Sequence, residues 1–289
     1  MIKTIRYFFE ALIVYFLYII SFFIGLKYSR IFFSYLFQKI GFYFRSEKLI
    51  IKNLDKINSS MDENLKKNTI KKMWSNYGKT FIEYIFLKNF KQSNNHIKIK
   101  NKNYLETTLL KNEPVIFISG HFANFELMSM ELTKMNIKLA TIYRPLNNFF
   151  LNPFMEYLRK KYVCKNQIKK GIKGVKEAIN YLNNKNSIAL MVDQRVSEGA
   201  RVNFFGTPAH TTFLPAQLAL KFKCQIIPIY INRTFDDKFE VEILKPISCK
   251  HPNNRDKDKV EITNEINTVL EKMVAQDPSQ WILTHNRWK

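Results

Sequence analysis

Runs of apolar residues change length and period along the chain, and they predict its elements before any chemistry is considered. The longest comes first: Phe8 to Leu26 reads FFEALIVYFLYIISFFIGL, with Glu10 its only charge. A helix of about 20 apolar residues crosses a bilayer, so this run is just long enough to do so. Lys3 and Arg6 precede it and Lys27 and Arg30 follow it, so basic flanks at both ends leave its orientation weakly specified. A spanning helix, a helix lying in the membrane interface and a buried core helix all fit the pattern; membrane attachment is the expectation. A signal peptide is disfavoured, because no small-x-small cleavage site is seen and the amphipathic text KYSRIFFSYLFQKIGFYF continues the run.

Further on, Ser60 and Glu63 make a capping box. Ile70, Met73, Trp74, Tyr77, Phe81 and Ile85 then recur near helical spacing, which predicts a long helix packed on the body. Lys66, Lys67, Lys71 and Lys72 are read as its solvated face. The segment KQSNNHIKIKNKNYLET reads as loop and strand, with His96 at the surface. From Pro114 onward, strand-length apolar runs alternate with helical patterns. PVIFISG, LATIYR, SIALMVD, CQIIPIYINR and KFEVEILKP are the strands. Phe122 to Met135, Asn152 to Tyr162, KGVKEAINYLNN, LPAQLALKF and VEITNEINTVLEKMVAQDP are the helices, the last stopped by Pro278. This alternation predicts an α/β fold, a central mostly parallel sheet flanked by helices, with the hydrophobic membrane helix in front. No internal repeat and no Pro-, Gly- or Ser-rich linker divides the body. The expected organisation is therefore an anchor over residues 1–30 and one catalytic domain over 31–289.

Composition changes this picture in two places. The 289 residues carry a formal net charge of +22. Abundant Lys, Asn and Ile are what a genome biased toward A and T produces, whereas a functional reading of the charge is attraction to nucleic acid, anionic lipid or an acidic protein. Cys164, Cys224 and Cys249 are far apart and odd in number, which argues against a disulfide framework and against a compact zinc site. Free thiols in a reducing compartment, with the catalytic domain facing the cytoplasm, are the expectation.

The candidate chemistry lies at ISGHFANFELMSM, Ile118 to Met130. His121 follows a strand that ends in Ser119-Gly120, and Glu126 comes five positions later. With 5 histidines and 24 acids, chance gives about 0.4 such pairs per chain, so the pattern alone decides nothing. Position does more: in α/β sheets, functional residues gather where strands end and turn into helices. Two residues five apart within one helix point about 140° apart, so they cannot face each other. If His121 lies just before the helix, its ring can fold back toward Glu126, which would fix its tautomer as a general base. The alternative is a histidine capping a helix near a surface glutamate. His210 and His285 are read as structural polar residues, and the absence of a Gly-x-Ser-x-Gly elbow leaves a serine hydrolase the weakest reading.

Other blocks follow in order: IYRPLNN at a strand end, Asp193-Gln194 at another, Phe204-Phe205-Gly206, and the closing QWILTHNRWK. Together with the His-x4-Glu element they resemble the lipid A acyltransferases, the lauroyl and myristoyl transferases, within the glycerolipid and lysophospholipid acyltransferase superfamily. The Asp193-to-Gly206 loop is more polar than that branch would suggest. The resemblance implies transfer of a fatty acyl chain from acyl carrier protein to a hydroxyl of a lipid A precursor at the cell inner membrane, on its cytoplasmic side. It implies His121 as general base with Glu126 as its partner, direct attack on the thioester, and no metal or cofactor. Arg144, Asn124, Asp193 and Gln194 are the implied substrate contacts, Arg144 for a phosphate or a developing negative charge and Asp193 with Gln194 to order the site. An anchored loop is the plain alternative for that last pair. Acidic carrier protein and phosphorylated lipid would both suit the basic surface, with no part for nucleic acid. Two rivals remain: another acceptor, such as a lysophospholipid or a different glycolipid, and a non-catalytic basic protein that binds membrane or nucleic acid.

Overall fold

A computed structural model describes residues 2–110, 113–197, 199–247 and 255–289. Cys249 lies outside them; Cys164 and Cys224 are buried thiols, not joined to each other. The first apolar run belongs to a longer helical element, α1 (Ile2–Phe44), which breaks at Gly25, where φ is 79°. Only glycine adopts that conformation freely, and here it reverses the chain. Ser29 Oγ donates to the Ser21 carbonyl across the break (3.2 Å). Tyr18 and Phe33, one from each arm, both pack on Phe81, with ring centroids 5.2 and 5.5 Å away. The element is thus a helical hairpin. Position 30, the expected end of the anchor, falls inside its second arm.

α2 (Glu47–Ile57) leads to α3 (Glu63–Glu83), the helix expected from Ser60. Its cap is Asp62, whose carboxylate accepts from the Leu65 amide (2.8 Å), and Ser60 turns instead onto Asn58. The second arm of α1 lies tight on α3 because Gly78 has no side chain. A Cβ there would come within 2.1 Å of the Phe33 carbonyl oxygen. A short helix, α4 (Leu87–Gln92), then β1 (Ile97–Lys100) and α5 (Lys102–Leu109) fill the stretch read as loop and strand. His96 is not the surface residue expected. It packs on Phe90 with ring centroids 4.9 Å apart, and its Nε2 is buried with no hydrogen-bond partner among the described residues.

The body continues with β2 (Val115–Ser119), α6 (Glu126–Lys134), β3 (Leu139–Tyr143) and α7 (Asn152–Leu158), which runs into a π-helical turn, Arg159–Val163. After β4 (Asn166–Lys169), α8 (Ile172–Asn183) and β5 (Ser187–Met191) comes a β-hairpin, β6 (Ala200–Phe204) and β7 (Thr207–Thr211), where a polar loop was expected. Its two-residue turn is Phe205-Gly206, both with positive φ, the twist that suits a tight hairpin. α9 (Leu214–Phe222), β8 (Gln225–Arg233), β9 (Phe239–Ile243) and α10 (Arg255–Gln276) complete the chain.

The seven-stranded sheet has the order β1-β9-β8-β2-β5-β3-β4, with only β8 and β9 antiparallel. All five residues of β2 are buried, as a strand covered on both faces requires. The chain leaves β2 toward β3 and leaves β5 in the opposite direction toward β8. Ligands in open α/β sheets bind where such connections diverge, beyond the carboxyl ends of the strands. His121 and Asp193 lie there.

Candidate active site

Between β2 and α6 the backbone is not helical. Ala123 has a φ of 43°, and the helix begins only at Glu126. His121 is therefore held above the end of β2, beside the end of the neighbouring strand β5. Its amide donates to Asp193 Oδ2 (2.9 Å), and its Nδ1 lies 2.8 Å from Asp193 Oδ1. Trp281 Nε1 donates to the same carboxylate (2.8 Å). Asp193 is fully buried, which by itself would raise its pKa. The charge of His121 and the hydrogen bonds from His121 and Trp281 outweigh that and hold it down to about 2. With Nδ1 committed to a carboxylate, Nε2 is the ring nitrogen left to face a cleft of about 480 Å³.

The expected pairing of His121 with Glu126 is absent. Glu126 Oε1 accepts from Tyr84 Oη (2.7 Å) and from Arg159 Nε (2.8 Å), and the Arg159 Nη2 contact is 2.6 Å. The cause is local. Because α6 starts at Glu126, its carboxylate turns toward α7 and the π turn, where a buried arginine competes far better than a neutral ring. Both residues still line one cleft, His121 braced from β5 and Glu126 from Arg159.

Arg144 is exposed on the rim of the cleft, its Nη2 3.4 Å from Asn147 Oδ1, and Gln194 lines the wall. Asn124 does not reach the cleft. It is buried, and its Nδ2 donates to Glu83 Oε2 (2.9 Å), a bond that anchors the loop behind His121. Asp193 belongs to the site as the residue that orients His121. Sequence reasoning missed Arg195, whose Nε is buried with no hydrogen-bond partner among the described residues, and Arg159, Tyr84 and Trp281; His285, read as a structural polar residue, also lines the cleft. Neither Arg144 nor Arg195 has a carboxylate partner among the described residues. No group of three or more His, Cys, Asp or Glu among the described residues is placed to hold a metal.

His285 stands between this cleft and a second, apolar cavity of about 690 Å³, and lines both. Its Nε2 accepts from the Arg195 amide (2.9 Å). The cavity walls come from both arms of α1 (Val14, Leu17, Leu36, Ile40) and from Trp74 and Phe81 of α3. The chain end closes the arrangement. Arg287, fully buried, donates to the His210 carbonyl and to Thr211 Oγ1 (2.7 Å), and Trp288 Nε1 donates to the Phe204 carbonyl (3.0 Å). The Phe-Phe-Gly and Arg-Trp blocks are therefore one clasp, which sets Trp281 against Asp193.

Burial lowers His285 to about 4, and lowers His96 to about 4 with help from Lys134 and Arg30. Folded, both rings stay neutral; unfolded, each takes a proton near its ordinary 6.5. Stability contributed by the neutral rings is complete above 6.5 and drains away as pH falls toward 4. The melting temperature is expected to drop across that window, and less steeply in His96→Gln and His285→Gln variants. Identical slopes in all three proteins would refute the assignment.

An α/β sheet with a histidine and a buried carboxylate on its carboxyl edge, beside an apolar cavity, has the parts of a lipid-handling transferase. The sequence profile of the bacterial lipid A biosynthesis acyltransferases matches residues 2–289, and the chain belongs to that family. It is an acyltransferase. A search of curated proteins returned no match.

Proposed function

We propose that the protein transfers a fatty acyl chain from acyl carrier protein to a hydroxyl of a lipid A precursor, at the cytoplasmic face of the inner membrane. The observation that carries the reading is His121, oriented through Nδ1 by buried Asp193 and open to the cleft through Nε2. Nε2 takes the proton of the acceptor hydroxyl as its oxygen attacks the thioester carbonyl. The tetrahedral intermediate expels the carrier thiolate, which recovers that proton from the imidazolium. Asp193 stabilises the imidazolium without itself becoming protonated. Glu126 is assigned a positioning role, holding Arg159 and Tyr84 in the cleft wall.

Arg144 and Arg195 supply charge for acceptor phosphates or for the developing oxyanion, and Gln194 a neutral polar contact. The apolar cavity receives the acyl chain, and its size lies within the range of about 300–1,000 Å³ typical of ligand pockets. Filling it should shorten the preferred chain. In Val14→Phe, kcat/KM for the longest accepted donor is expected to fall tenfold or more against a shorter one, since one misfitting methylene costs about 1–3 kcal/mol. An unchanged chain-length profile would remove the cavity from the mechanism.

Mass spectrometry of lipid A from cells with and without the gene tests the whole reading. One acyl chain is expected to be missing without it, and purified protein should restore that chain from acyl carrier protein. Intact lipid A alongside altered phospholipid would transfer the assignment to a lysophospholipid acceptor.

A further inference from the structure

We infer that the α1 hairpin lies in the plane of a single membrane leaflet and crosses the bilayer with neither arm. Its partner is the acyl-chain layer of that leaflet. On the first arm Tyr7, Ala11, Tyr18 and Ser21 are buried at helical spacing, with half-buried Val14 between them. This stripe faces the protein. The opposite face is as apolar but uncovered: Phe9, Phe16 and Phe23 are 58%, 63% and 81% exposed. The second arm continues it with Ile31, Tyr35 and Tyr43, which are 59%, 64% and 79% exposed. Both arms therefore expose an apolar face, together far beyond what a soluble monomer exposes. Lys3 and Arg6 at the start of the first arm, Lys27 at the bend and Lys39 in the second arm are exposed cations suited to the head-group level.

By length the first arm, about 35 Å at 1.5 Å per residue, could span. The body forbids it, because it stays beside the hairpin from end to end. Near the start, Asn148 Nδ2 donates to the Tyr7 carbonyl (2.8 Å), and Tyr15 Oη donates to the Phe150 carbonyl (2.8 Å). Midway, Tyr18 lies on Phe81. Five residues past the bend, Arg30 is buried against Glu83 (2.7 Å), which also binds Arg233 at the end of β8. The bend is thus about 8 Å of helix from a buried charge network of the body. Neither a single crossing nor a two-pass hairpin can form without drawing that polar body into hydrocarbon, at a cost of several kcal/mol for each unsatisfied group. Ile13 and Phe44 line the apolar cavity and are 60% and 61% exposed, so the cavity mouth opens on this same face.

The test is topological and independent of the acyl-transfer reading. Full-length protein with a peptide tag at each terminus and Phe23→Cys at the bend, in a Cys249→Ser background, is placed in sealed vesicles of both orientations. In-plane insertion predicts that external protease removes both tags from the cytoplasmic side and neither from the other. A membrane-impermeant maleimide should label Cys at 23 from neither side, relative to the same protein with Phe23 intact. Alkaline carbonate should leave the protein in the membrane. Tags cut from opposite sides would establish a single span, and labelling at 23 from the far side a two-pass hairpin; either overturns the inference. So does release by carbonate as a soluble oligomer, which would mean that copies of the chain cover this face. A Phe9→Glu/Phe16→Glu variant supplies a further reading: it should lose membrane retention while keeping its melting temperature, and retention unchanged would also overturn the inference.

Discussion

Replacing His121 with alanine is expected to lower kcat by at least about 10²–10⁴-fold, the usual worth of a general base. The ring touches its surroundings through Asp193 and an edge contact with Phe125 at 4.7 Å, so folding should survive its loss. Asp193→Asn should be nearly as damaging. An amide can donate an N–H to Nδ1 and so stabilise the tautomer whose proton sits on Nε2, a change that costs about 10⁴ in the serine-protease triad. Because the two residues act as a unit, His121→Ala/Asp193→Asn should be hardly slower than His121→Ala alone. Glu126→Gln discriminates between the possible partners. It leaves the histidine's orientation intact, so its turnover defect should stay well below that of Asp193→Asn, while stability falls because Arg159 loses its buried counter-charge. Single-turnover rates and melting curves for the four variants decide this. Normal acyl transfer by His121→Ala would end the mechanism, and equal rate defects in Glu126→Gln and Asp193→Asn would restore Glu126 as a partner in the chemistry.

The sheet was legible because each buried strand carries a run that nothing else in the chain imitates: VIFIS and SIALM are uninterrupted and bounded by polar turns. His121 was legible for the same reason, standing one residue beyond such a run and its glycine. Its partner was not. Asp193 is 72 residues away in sequence, and only the parallel pairing of β2 with β5 brings it alongside. Glu126 was the nearer acid, and spacing alone favoured it until the late start of α6 turned it toward Arg159. Asn124 misled similarly, since proximity to His121 in the chain says nothing about which side of the loop its amide takes. The bend at Gly25 was hidden in an apolar run where every residue suits a helix. One glycine among so many bulky neighbours was the available signal.

Stability should depend most on a residue remote from the chemistry. Glu83 is fully buried on α3 and accepts from Arg30 Nε (2.7 Å), Arg233 Nη2 (3.0 Å) and Asn124 Nδ2 (2.9 Å), with Arg233 Nη1 also on its Oε1. Burial opposes its charge, yet the two guanidiniums prevail and hold its pKa below the ordinary value. Glu83→Gln keeps the shape and leaves two buried arginines facing a neutral amide, which is expected to cost about 3–5 kcal/mol. The same change should loosen three elements at once: the second arm of α1 through Arg30, β8 through Arg233, and the His121 loop through Asn124. Denaturant unfolding is therefore expected to shift to a lower midpoint, and limited proteolysis to cut first in the hairpin. Removing one of the stranded charges, as in Glu83→Gln/Arg30→Met, should recover part of the loss, because an apolar chain of similar length suits the contacts that Arg30 makes with Phe90 and Phe239. If the double variant is no more stable than Glu83→Gln, stranded charge is not the source of the defect, and the network does not tie the hairpin to the body.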